Sequence, residues 1–168
     1  EPLNKNSAWR NILLPHNLLR GTMRLKTILN YGLKFKCFCI GKSEFNEKKD
    51  SIIVEIKART NSKPVCSICG TASPGYDTLP ERLFEFVPMW GLRVFFRYAM
   101  RRVSCPQCKR VVVEAVPWCD GKNHFTNHYA AFLASWAKEL SWKSVAAHFH
   151  TSWQTVCSAV ESVVNYGL

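Results

Sequence analysis

Two Cys-x-x-Cys pairs, Cys66-Ser-Ile-Cys69 and Cys105-Pro-Gln-Cys108, are the residues whose types and spacing most plainly point to chemistry. Each pair closes a tight turn that aims two sulfurs at one point. Four thiolates converging in this way suit a tetrahedral structural zinc, with Zn–S bonds of about 2.3 Å. Cys66, Cys69, Cys105 and Cys108 are the expected ligands, with Cys119 and His124 in reserve. Disulfides or buried thiols are the other chemistry open to these cysteines. A thioredoxin-like redox site would need one such motif opening a helix after a strand, whereas both motifs here stand at turns beside strands.

Bringing two knuckles together is the work of a hairpin. Arg82–Val87 and Leu92–Val103 are rich in aromatic and β-branched residues and are separated by Pro88-Met89-Trp90-Gly91, the pattern of a zinc ribbon. In the second strand Leu92, Val94, Phe96, Tyr98 and Met100 fall on one face, read as core. Arg93, Phe95, Arg97, Ala99 and Arg101 fall on the other. Arg93, Arg97 and Arg101 are thus candidate phosphate contacts, although the same pattern serves a merely hydrated surface. Ser51–Arg59 alternates as a half-buried strand extending the sheet, and Val111–Val116 reads as a last short strand ended by the turn residues Pro117–Gly121. Cys37 and Cys39 share a strand face and read as buried thiols.

The chain of 168 residues carries 23 Lys and Arg against 12 Asp and Glu, a net charge of +11 with a pI near 9.5. This balance favours a polyanionic partner, nucleic acid first and an anionic membrane surface second. There is no apolar run near the ~20 residues of a membrane-spanning helix and no secretory leader pattern, so a cytoplasmic protein with reduced cysteines is expected. Basic residues cluster from Lys34 to Lys49; Lys34 and Lys36 are candidate DNA contacts or part of a solvated face. Residues 1–22 read as an unstructured extension. Met23 reads as a natural start, followed by Leu25, Ile28 and Leu29 at helical spacing.

After Gly121 the period becomes helical. Tyr129, Phe132, Leu133 and Trp136 form one stripe with Thr126 or Asn127 as cap. Ser141 caps a short helix, His150 takes the turn, and Ser152 caps a last helix whose buried face is read as Val156, Val160, Val163 and Val164. This reads as a helix-turn-helix. In that geometry Ser152, Gln154, Thr155 and Ser158 would meet base edges or phosphates of double-stranded DNA. A helical hairpin serving as a dimer or domain interface is the alternative. The expected fold class is α+β: a small antiparallel β zinc-ribbon domain followed by a three-helix helix-turn-helix domain. Its divisions are an extension at 1–22, a basic segment with a joining strand at 23–60, the ribbon at 61–121 and the helical region at 122–168.

From Met23 onward the chain resembles the ISL-three family of bacterial insertion-sequence transposases. The likeness is carried by Met23-Arg-Leu-Lys-Thr-Ile-Leu-Asn30, Val65-Cys-Ser-Ile-Cys-Gly70, Gly75–Arg82, Phe86–Gly91, Arg102–Cys108, Val116–Lys122 and Ser141–Val156. The resemblance implies a zinc-finger and helix-turn-helix region that recognises the element's terminal inverted repeats in the bacterial cytoplasm. In complete members an RNase H-like catalytic domain with a DDE carboxylate triad follows. No carboxylate here matches that triad, so none is assigned, and the chain itself is not expected to be an enzyme. A free-standing transcriptional regulator and a zinc-stabilised dimerisation module are the alternative functions, the latter with a second copy of the chain as partner. A metal nuclease built on His124, Asn127 and His128 is disfavoured, because these residues sit at a helix entrance rather than in a ββα-metal frame.

Overall fold

A computed structural model describes residues 25–120 and 123–166. The expectations for residues 1–22, the start at Met23, Gly121 and Lys122 lie outside the described residues. Helix α1 (Leu25–Leu33) leads into β1 (Phe38–Asn46), which turns through a short 3-10 segment and a left-handed Asp50 into β2 (Ser51–Ala58). Strands β3 (Gly75–Met89), β4 (Leu92–Cys105) and β5 (Arg110–Val113) follow. Helices α2 (Asn127–Ala137), α3 (Trp142–His148) and α4 (Trp153–Asn165) complete the order.

The sheet has five strands and is mixed. β1 pairs with β2 and β3 with β4 in antiparallel fashion, but β2 runs parallel to β4, with Ile53 opposite Phe95. β4 is the spine. β2 pairs with its first half, β5 joins antiparallel at its end, and β3 follows nearly its whole length. Consecutive positive φ angles at Trp90 and Gly91 make the β3–β4 turn, a geometry whose twist matches paired strands. Val94, Phe96, Tyr98 and Met100 are buried as their alternation requires, as are Ile52, Val54 and Ile56 of β2. Trp118 is fully buried among Phe35, Phe38, Phe84 and Tyr98. In the sequence it stands only among the turn residues that end the last strand.

The expected fold class, a small antiparallel ribbon followed by a three-helix helix-turn-helix domain, is corrected. The described residues form a mixed five-stranded sheet with four helices, and strand predominates among them. The physical reason is the N-terminal segment. It contributes β1, β2 and Phe38, Ile40, Ile52, Val54 and Ile56 to the same core as β3 and β4, so the ribbon is one end of a larger sheet.

The helices have a second core of Tyr129, Leu133, Val145, Val156 and Ala159, but their entry is stitched to the sheet. The Glu85 N–H donates to the His124 carbonyl, and the Thr126 N–H donates to the Glu85 carbonyl, each at 2.8 Å. Val164 is 61% exposed rather than part of the buried face, where Ala159 takes its place. Cys37 and Cys39 are half-buried rather than buried.

Candidate metal centre

The two knuckles have matching local geometry. In the first, the Gly70 N–H donates to the Cys66 carbonyl, and Gly70 lies in the left-handed region at φ 71°. In the second, the Cys108 N–H donates to the Cys105 sulfur at 3.4 Å, and Lys109 takes the equivalent left-handed position at φ 52°. β4 ends on Cys105, while Cys66 pairs with Glu114 just beyond β5, so the sheet itself delivers the two knuckles to one place. The Thr71 hydroxyl bonds the Gln107 side-chain oxygen across the gap at 2.7 Å.

The four sulfurs of Cys66, Cys69, Cys105 and Cys108 lie within 4.8 Å of one another. Cys66 to Cys108 is 3.9 Å and Cys69 to Cys105 is 3.5 Å. A regular tetrahedron of sulfurs around an ion at ~2.3 Å has edges of about 3.8 Å, so the donor set fits a tetrahedral metal ion. The electrostatics point the same way. The Cys108 backbone N–H, more than any other group, pulls the Cys105 thiol down to about 6, and the Thr71 hydroxyl helps lower Cys69. Contact with the Cys69 sulfur holds Cys108 up, because crowded thiolates cannot all ionise without a cation among them. Cys66 and Cys105 are buried, Cys108 is half-buried and Cys69 faces solvent.

The reserve ligands are elsewhere. Cys119 packs in the main core with its thiol donating to the Asn123 carbonyl at 3.2 Å, and His124 is exposed at the entry to α2; neither joins the sulfur cluster.

The candidate DNA-contact arginines of β4 do not form one free basic face. Arg93 Nε donates to Glu85 at 2.8 Å, and Arg97 lies 3.5 Å from Glu44 and 3.8 Å from Glu81. Arg101 departs furthest from the expected pattern. Met100 and Val103 are both buried, so strict alternation breaks between them. Arg101 stacks over Phe38 and is held by the buried Glu114 and the Ser62 carbonyl.

Lys34 and Lys36 are exposed, the former over the Tyr31 ring. At the start of α4 the Ser152 hydroxyl accepts from the Thr155 N–H at 3.1 Å and bonds the Thr155 hydroxyl at 2.9 Å, so this pair caps the helix. Gln154 and Ser158 are exposed. Residues that sequence reasoning passed over include Glu114, which sits in a plain β-branched run with no local pattern to mark it.

Among the described residues no helix is long and apolar enough to cross a membrane. Comparisons with protein-family models, with characterised proteins and with solved structures find no match.

Proposed function

We propose that this chain is a DNA-binding module, the recognition part of an insertion-sequence transposase, organised around a structural zinc ion. Four sulfur ligands fill a tetrahedral shell and leave no position for substrate, which assigns the ion to folding rather than catalysis.

The observation that carries the DNA reading is where uncompensated charge lies. Arg93, Arg97, Arg101, Arg102 and Lys57 each have a carboxylate partner. Lys34, Lys36, Lys63, Lys109 and Arg110 are exposed and have no carboxylate partner among the described residues. Among the described residues, part of the uncompensated positive charge therefore lies on the connections and the second knuckle, with the exposed Gln154 and Ser158 as groups suited to base edges. In this reading Arg93 and Arg97 contribute less, because a phosphate must first displace their carboxylates.

Fluorescence anisotropy with duplex DNA at several salt concentrations tests the reading. Binding should weaken steeply with salt, and replacing Lys109 or Arg110 with alanine should lower the slope by about one unit each. A salt-independent or absent association would refute it. Trp136, Trp142 and Trp153 are each more than a third exposed, which favours self-association as the second reading. Sedimentation analysis showing a concentration-dependent dimer without DNA affinity would replace the first.

A further inference from the structure

A cleft of about 470 Å³ opens between the α1–β1 connection and the segment after β5. No sulfur of the metal centre lines it. Within it the Arg101 and Glu114 charges offset each other through two bonds to one carboxylate oxygen, at 2.9 and 2.7 Å. Phe35, Val65, Val116 and Pro117 add an apolar wall. Lys34, Lys36 and Lys63 also line the cleft, and all three are exposed without a carboxylate partner among the described residues. An apolar surface edged by three uncompensated cations is complementary to a ligand with an uncharged flat body and an anionic margin. Its volume falls in the range of ordinary ligand sites.

The geometry points to a binding site for one unstacked nucleotide, its base against Phe35, Val65, Val116 and Pro117 and its phosphate among Lys34, Lys36 and Lys63. This deepens the nucleic-acid reading above and rests on it. Stacking and apolar contact accept any base, while lysines along the rim follow the backbone, a combination used for single strands. The cleft also depends on the knuckle. The Ala115 N–H donates to the Val65 carbonyl at 2.8 Å, and Cys66 pairs with Glu114, so the β2–β3 connection that carries the first metal ligand forms one wall.

The test uses the metal-loaded full chain and a single-stranded oligonucleotide carrying 2-aminopurine, beside the same strand in a duplex and an abasic strand. Ala115 is exposed and lines the cleft, so Ala115→Trp fills the space while leaving the lysines in place. The wild-type chain should change the 2-aminopurine emission and bind the abasic strand about tenfold more weakly. Ala115→Trp should abolish the emission change and leave duplex affinity within about twofold. Should that variant fold poorly, Lys36→Ala with Lys63→Ala serves instead, with single-strand affinity expected to fall about tenfold.

Equal binding of abasic and base-bearing strands, or an unaltered Ala115→Trp or lysine double variant, overturns the cleft assignment while duplex binding keeps the module reading. Stronger competition by an acidic peptide or by anionic lipid vesicles than by the oligonucleotide also overturns it. Absence of binding to both single strand and duplex removes both readings together.

Discussion

Arg101 and Glu114 face each other across the join between β4 and the residue after β5, with Arg101 Nε and an Nη nitrogen donating to the same carboxylate oxygen. The other oxygen accepts from the Tyr98 hydroxyl at 2.6 Å and from the Arg101 N–H at 2.8 Å. Glu114 also pairs through its backbone with Cys66, so this buried pair links the main core to the first knuckle. Arg101→Met leaves the fully buried carboxylate without its cation and should cost about 3–5 kcal/mol. Urea denaturation of the metal-loaded protein measures it; a loss below about 1 kcal/mol would show that the pair is not integral to the fold.

Metal binding and folding of the knuckle region should be one process. Reduced protein is expected to carry one tetrahedrally bound ion per chain, zinc by the proposed reading. Cys105→Ala should abolish that stoichiometry, whereas Cys119→Ala should leave it intact. Elemental analysis of both variants decides between the sulfur cluster and the reserve ligands.

The cysteines should fall into three classes of reactivity. Cys37, Cys39 and Cys157 are half-buried and should be alkylated first, and the cluster cysteines only after a chelator is added. Cys119 should resist both, because burial pushes its thiol up to about 11. A thiol raised in the folded state favours folding fully below its unfolded value, near 9, and loses that contribution as pH rises toward 11. Alkylation of Cys119 and a decline in stability should therefore both set in across pH 9–11. Mass spectrometry of timed digests, with melts at the same pH values, follows both.

His150 is exposed and lies at φ 53°, a conformation that costs a residue bearing a Cβ about 1–2 kcal/mol. Glycine removes that cost and adds backbone entropy to the unfolded chain, so His150→Gly should stabilise by a net of about 0.5–1 kcal/mol. A lower thermal midpoint in the variant would contradict this.

Ser152 and Gln154 should separate stability from recognition. Ser152→Ala removes an N-cap and should cost about 1 kcal/mol of stability. Gln154→Ala touches an exposed side chain and should leave the melt unchanged. On a duplex enriched by selection from random sequences it should weaken binding by about 1–3 kcal/mol, with little effect on unselected DNA. Equal weakening on both duplexes would remove Gln154 as a reader.

The features legible in the sequence are those decided over a few residues. The Cys-x-x-Cys spacing sets each knuckle, Trp90-Gly91 sets the hairpin turn, and Ser141 and Ser152 set their helix starts, because each bond closes within its own turn. The alternation of Ile52, Val54 and Ile56 marks a buried face for the same reason. Alternation does not say which strand lies alongside. The parallel pairing of β2 with β4, which turns an expected small ribbon into a five-stranded mixed sheet, was decided only when both strands buried their apolar faces in one core. Trp118 sits among turn residues in the sequence, yet it fills the space that Phe35, Phe38, Phe84 and Tyr98 leave between them. Arg101 has the period of a surface residue. A break in alternation and the buried charge of Glu114, 13 residues away, turn it toward the core. Local spacing fixes what a residue can do within its own turn; which partner it meets is settled by long-range burial and charge pairing, and those exist only in the folded chain.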